Sequence, residues 1–214
     1  MKFKTSNGPL SYTYVSGKGA PKYGKDYNSE NRLDFEYKAT RIVDKKVAEE
    51  IQAVIKKFWD ENKPAKIAKP TSTFLKPVMA DSDKLDEYGE PIKVESGQFA
   101  ISASTNAAFK GKDGISDTKL VLLRANGSPL PANHPLVTGE VGVGEGSQGI
   151  VHGNLAITEY EGKAYVKFYL KGVQFAKFVP YEGDNVDATE IVVEDDGLGG
   201  DGLDVEPVSN QPEL

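Results

Sequence analysis

Apolar and polar residues alternate with a period of two along much of the chain, and clusters of Gly, Asn, Asp and Pro separate the alternating runs. Such alternation puts successive side chains on opposite faces of a half-buried strand. Strands are predicted over Pro9 to Val15, Arg32 to Val43, Gln98 to Ser104, Lys119 to Leu123, Ile150 to Thr158, and Lys163 to Leu170 continuing through Lys177. One segment carries a different period. Ala48, Ile51, Ile55, Phe58 and Trp59 recur at spacings of three and four, Asp44 stands where an N-cap is needed, and Pro64 ends the run. These features predict one helix whose aromatic stripe packs in a core.

Between Lys63 and Ser96 four prolines and mixed charge predict a long irregular excursion or a loose hairpin, and Gly139 to Gly149 reads as a flexible loop. Glu161-Gly162, flanked by β-branched and aromatic residues, marks a tight hairpin. Beyond Tyr181 the composition of Gly, Asp, Glu, Val and Pro cannot offset its ordering cost by burial, so a disordered tail is expected over 182–214, with transient pairing at most from Thr189 to Val193. A single body over 1–181 suits the length of 214 residues.

Charge sharpens this division. All 26 Lys and Arg residues lie at or before Lys177, whereas 11 of the 32 acidic residues lie from Glu182 onward with no basic residue among them. The body therefore sets 26 basic side chains against 21 acidic ones, a net +5, and the tail carries −11. A cationic body tethered to an anionic segment suits a polyanionic partner for which the tail competes.

Several chemistries are not supported. The chain has no cysteine, which removes thiol catalysis, disulfides and thiolate metal sites. His134 and His152 are solitary and read as structural, so neither a zinc site nor a histidine triad is expected. Gly144 to Gly149 has the letters G-x-G-x-x-G, but the strand pattern after it is the wrong context for a dinucleotide site. Asp81-Ser82-Asp83 and Gly199 to Asp204 resemble calcium loops only in part. No catalytic residue, metal or cofactor is expected, and no apolar stretch has the length of a signal peptide or a membrane span, which predicts a cytoplasmic protein without membrane contact.

The constellation that carries chemistry lies in the last predicted hairpin. Ala164, Val166, Phe168 and Leu170 share one face of the strand, while Lys163, Tyr165, Lys167, Tyr169 and Lys171 share the other. Ammonium groups release phosphate counterions and aromatic faces stack on unpaired bases, so alternating Lys and Tyr is the combination a single-strand binder needs. Phe109, Lys110 and Lys112, in a predicted loop, and Arg124 are further candidates for nucleic-acid contact.

The body resembles the phage-encoded single-stranded DNA-binding proteins with an OB fold, related in architecture to the replication single-strand binders of T-odd and T-even phages. The resemblance rests on Gly97 to Ser104, on Gly149 to Leu155, on Val166 to Phe175 with its Leu-x-x-Val-Gln, and on the acidic tail; it spans roughly Phe35 to Lys177. It implies a five-stranded Greek-key OB barrel, elaborated, and sequence-tolerant binding of single-stranded DNA in phage replication, recombination or repair inside the infected bacterium. It also implies a tail that docks a polymerase or primase-helicase. Many such tails end in an aromatic residue, whereas this one closes with Gln211-Pro212-Glu213-Leu214. The alternative expectation is a phage structural or assembly protein with a β-sandwich body.

Overall fold

The computed structural model describes residues 1–181; the acidic tail, with the pairing expected of Thr189 to Val193, lies outside the described residues. In chain order the elements are β1 (Lys2–Lys4), β2 (Gly8–Tyr14), β3 (Ala20–Pro21), β4 (Phe35–Val43), α1 (Lys45–Asn62), β5 (Leu75–Leu85), β6 (Pro91–Asn106), β7 (Ala108–Gly111), β8 (Gly114–Asp117), β9 (Val121–Leu123), α2 (Pro135–Thr138), β10 (Gly142–Val143), β11 (Gln148–Tyr160), β12 (Lys163–Lys177) and β13 (Pro180–Tyr181).

Five of these strands close on themselves. β2 pairs with β4, β4 with β6, β6 with β12, β12 with β11, and β11 returns to β2 through Gln148 opposite Pro9 and Gly149 opposite Gly8. All pairings in the ring are antiparallel except β6 with β12, where Ser104 lies beside Tyr169. Numbered along the chain, the ring runs first, second, third, fifth, fourth, which is the five-stranded Greek-key barrel of an OB fold. Closure into a barrel overturns the alternative of a β-sandwich body.

Alternation fills the barrel interior. Phe35, Ala39 and Val43 of β4, Ile101 and Ala103 of β6, Val151 and Leu155 of β11, and Ala164, Val166, Phe168 and Leu170 of β12 are all buried. Each large aliphatic or aromatic side chain so placed contributes about 1.5–3 kcal/mol. Phe168 also makes an edge-on contact with Phe3 of β1, with ring centroids 5.1 Å apart, and a tilted contact with Phe74 at 5.4 Å. The three residues of β1 are thereby held against β11.

Close approach of β11 and β12 depends on glycine at two positions of β11. A Cβ at Gly153 would lie 2.0 Å from the Tyr169 carbonyl oxygen, and one at Gly149 would lie 2.5 Å from that of Gln174. The β11–β12 hairpin turns at Glu161 and Gly162, with φ of 48° and 73°. Two positive φ values in a two-residue loop match the strand twist. A β-bulge interrupts the same pair where His152 faces Gly172 but Gly153 faces Leu170, which leaves Lys171 as the extra residue.

The expected helix forms within its predicted limits. The Asp44 carboxylate accepts from the Val47 amide at 2.9 Å, and the capping Lys63 precedes Pro64. Trp59 is buried, and its indole N–H donates to the Ala68 carbonyl at 3.2 Å. A further single helical turn, α2, is N-capped by His134, whose Nδ1 accepts from the Leu136 amide.

Of the two forms expected over Lys63 to Ser96, the hairpin is the one that forms: β5 pairs with β6, and their mostly exposed residues project from the barrel beyond Pro77 and Phe99. Three regions differ from the sequence expectations, the first being Arg32 to Asp34, where a strand is expected to begin but a single 3-10 turn forms ahead of β4. The expected loop bearing Phe109, Lys110 and Lys112 is a two-stranded ribbon, β7–β8. The glycine-rich stretch from Gly139 holds β10, which pairs with β13, and then enters β11 directly. A strand following Gly144 to Gly149 provides no helix N-terminus for a pyrophosphate.

Candidate nucleic-acid interface

Outward-facing residues of neighbouring strands line up in one row across the sheet. Tyr14 of β2 lies opposite Lys38 of β4, Lys38 opposite Ser104 of β6, Ser104 beside Tyr169 of β12, Tyr169 opposite Asn154 of β11, and Asn154 opposite Lys2 of β1. At ~4.8 Å per strand, Tyr14 and Tyr169 are separated by about 14 Å and the whole row spans about 24 Å along the curved surface. Tyr14 is 46% exposed and Tyr169 36% exposed. The Tyr169 hydroxyl lies 3.2 Å from the Thr158 hydroxyl, which fixes the ring's direction on the outer face.

The other residues of the β12 face are distributed around this row. Lys163 and Lys167 are exposed, and Tyr165 is half-buried because Ser72 runs alongside it as a parallel bridge partner. Lys171 does not continue the face. Being the bulged residue, it joins Lys2, Phe3, Lys4, His152, Gly153 and Asn154 around an open groove with a volume of about 560 Å³. Three lysines around one notch make it cationic. Burial chiefly, helped by Lys4, lowers the pKa of His152, while its 3.3 Å contact with Gln174 opposes the shift. The notch therefore draws its charge at neutral pH from lysine.

At the Tyr14 end the structure collects aromatics that lie outside the β12 alternation. Tyr12 is exposed on a bulge of β2, with φ of 45°, and Tyr23 and Tyr27 are exposed in the loop between β2 and β4. Polar contacts tie down the base of that loop. The Lys22 ammonium donates to the Leu33 carbonyl, Lys25 pairs with Asp34 at 3.2 Å, and Arg32 pairs with Asp117 of β8 at 3.1 Å. The Ser29 hydrogen bond, offset in part by burial, acts with Lys25 to hold the Asp34 carboxyl below its usual range. Through Arg32 the loop is fastened to the β7–β8 ribbon, which carries the exposed Phe109, with Lys110 and Lys112.

Arg124 stands apart. It follows β9 on the flank of β12, is half-buried, and has an Nε with no hydrogen-bond partner among the described residues. The tyrosines at the Tyr14 end, which sequence reasoning did not single out, had a signal in Ser11-Tyr12-Thr13-Tyr14 and in Lys22-Tyr23-Gly24-Lys25-Asp26-Tyr27. Both intersperse tyrosine with polar or cationic residues, as β12 does. In OB barrels, oligonucleotides bind the face of the second and third strands and the loops joining strands one to two and four to five. Here those parts are β4 and β6, residues 15–34, and the turn at Glu161-Gly162.

No protein-family model and no curated protein sequence matches the chain. Solved structures do. A C-terminal truncation of the single-stranded DNA-binding protein from bacteriophage Enc34 matches with a TM-score of 0.51 and 18% identity, over 81% of this chain and 84% of that one. The two share a fold. The Enc34 protein in complex with ssDNA gives a TM-score of 0.49 at 17% identity, covering 85% of this chain and 87% of that one. The structure of gp2.5, a single-stranded DNA-binding protein encoded by bacteriophage T7, gives 0.49 at 18% identity, covering 87% and 97%.

Proposed function

We propose that this protein binds single-stranded DNA, in a sequence-tolerant way, along the outer face of its barrel. The observation that carries the reading is the row Tyr14, Lys38, Ser104, Tyr169, Asn154 and Lys2, which sets two ring faces and two ammonium groups among hydroxyl and amide side chains across six adjoining strands. Bases stack on Tyr14 and Tyr169, and phosphates meet Lys38, Lys163, Lys167 and the notch of Lys2, Lys4 and Lys171. Tyr165 lies beside this track, and Tyr23, Tyr27, Phe109, Lys110 and Lys112 extend it at the Tyr14 end. Arg124, on the flank, has a minor part. The Enc34 protein whose fold this chain shares is by name a single-stranded DNA-binding protein, which supports the same activity for this barrel.

In this reading the protein is not an enzyme; it protects unpaired DNA inside a phage-infected cell during replication, recombination or repair. The −11 tail over residues 182–214 competes with DNA for the cationic body and, once displaced, recruits replication proteins such as a polymerase or a primase-helicase. Among the described residues no helix is long and apolar enough to cross a membrane.

The test is a titration of fluorescein-labelled oligo-dT followed by anisotropy. The single tryptophan, Trp59, is buried in the core, so its emission is a poor reporter of stacking. Saturable binding to oligo-dT, with much weaker binding to a duplex of the same length, is expected. Equal affinity for the two would refute recognition through unpaired bases.

A further inference from the structure

The β5–β6 hairpin is a projecting arm with an uncovered apolar side. Register places Ala80 opposite Val94, and Val78 and Ile92 fall on the same side of the ribbon, away from the ion pair of Asp81 with Lys93. At the tip, Leu85 is 61% exposed and Tyr88 is 82% exposed. A free two-stranded ribbon is marginal in water, and apolar groups grouped at its end call for a partner. The arm is also acidic. Residues 79–95 carry six carboxylates against two lysines, whereas the rest of the described chain carries 24 basic and 15 acidic side chains.

A matching surface lies at the opposite end of the barrel. The arm departs where Phe99 meets Val43, and an open trough lies beside Tyr37, near the start of the same strand, about 20 Å away at ~3.3 Å per residue. The trough has a volume of about 400 Å³ and is lined by Val15, Tyr37, Leu120, Leu122, Leu130 and Val137, among others. Lys119 is part of its wall, and the exposed Lys18 follows the lining Gly17. The apolar side chains of the tip match those of the trough, whose lining is mixed polar and apolar, and the acidic arm matches Lys119 and Lys18.

We propose that the arm tip of one molecule docks into the trough of a second copy, Leu85 and Tyr88 filling it while Asp86, Glu87 and Glu90 meet Lys119 and Lys18. Because donor and acceptor surfaces occupy opposite ends, the contact is heterologous and continues as an open head-to-tail array. Such an array suits a protein that coats a strand, but the contact does not itself depend on DNA binding.

The absence of native cysteines makes the test clean. Full-length Tyr88→Cys and Val137→Cys proteins, both altered at exposed sites, are mixed and treated with a short bis-maleimide, with and without a long oligo-dT strand. The mixed adduct is expected to dominate both homotypic ones. Predominance of the Tyr88→Cys homodimer would indicate tip-to-tip contact, and adducts in random proportion, or none in either condition, would equally overturn the proposal. As a second reading, the Leu85→Ser/Tyr88→Ser variant is expected to lose at least about tenfold in cooperativity on long oligo-dT. Its affinity for a one-site oligonucleotide should be unchanged. A drop in that one-site affinity would make the arm a DNA clamp and refute docking between copies. Failure of the unaltered protein to bind the one-site oligonucleotide would instead refute the proposed function.

Discussion

Replacing Tyr169 by alanine removes the central ring of the cross-sheet row without touching the core, because its inward neighbours Phe168 and Leu170 carry the packing. Stacking of one base on an exposed ring is worth about 1–3 kcal/mol, so the dissociation constant for oligo-dT is expected to rise roughly 5- to 150-fold. Tyr169→Phe keeps the ring and removes only the hydroxyl that sits 3.2 Å from Thr158, so its effect should be a few-fold at most. Tyr14 is about 14 Å away and shares no partner with Tyr169, so the double alanine variant should show the sum of the two single losses to within ~0.5 kcal/mol. Anisotropy with labelled oligo-dT at fixed salt measures Tyr169→Ala, Tyr169→Phe, Tyr14→Ala and the double alanine variant against the unaltered protein, and circular dichroism verifies their folding. A folded Tyr169→Ala protein that binds within a factor of two of the original would refute stacking on this row.

Charge, packing and protonation each yield a further expectation. Changing Lys163, Lys167 and Lys171 together to glutamine should flatten the log-log salt dependence of oligo-dT affinity by about 2, at ~0.7 for each phosphate no longer neutralised; an unchanged slope would place the phosphates elsewhere. Gly153→Ala puts a Cβ against the Tyr169 carbonyl and the Phe168 ring. It should destabilise the barrel by at least ~2 kcal/mol and lower Tm by roughly 4–8 °C in calorimetry. The folded-state pKa of His152 lies below the ordinary value of 6.5, with burial as the main cause, so its protonation favours the unfolded chain. The stability it contributes is complete above pH 6.5 and is lost as pH falls from there toward the folded-state value. In urea titrations between about pH 7.5 and 5, His152→Gln should show a shallower loss of stability than the unaltered protein.

Elements with local punctuation could be read from the residues alone. Asp44 and Pro64 bracket α1, and Glu161-Gly162 fixes the β11–β12 turn through two positive φ values. The arm was harder to read because most of its side chains are exposed, leaving little apolar alternation to register, and because two register shifts and Pro77 interrupt the pairing. Barrel closure rests on non-local pairings, Gly149 opposite Gly8 and Ser104 beside Tyr169, which no window of sequence contains. The Lys/Tyr alternation of β12 located one part of the candidate surface, but the bulge after Leu170 moved Lys171 to the β1 notch. Tyr14 and Lys38 join Tyr169 only through the pairing of four strands, although the tyrosines from Tyr12 to Tyr27 were conspicuous in themselves.

The most direct measurement is a salt series of oligo-dT titrations on the full chain and on a chain ending at Tyr181. A cationic barrel opposed by its own −11 extension predicts that both proteins bind, that the shortened one binds more tightly at low salt, and that affinity falls steeply with ionic strength. If the shortened protein shows no affinity for oligo-dT at low salt, single-strand binding by this barrel face is contradicted.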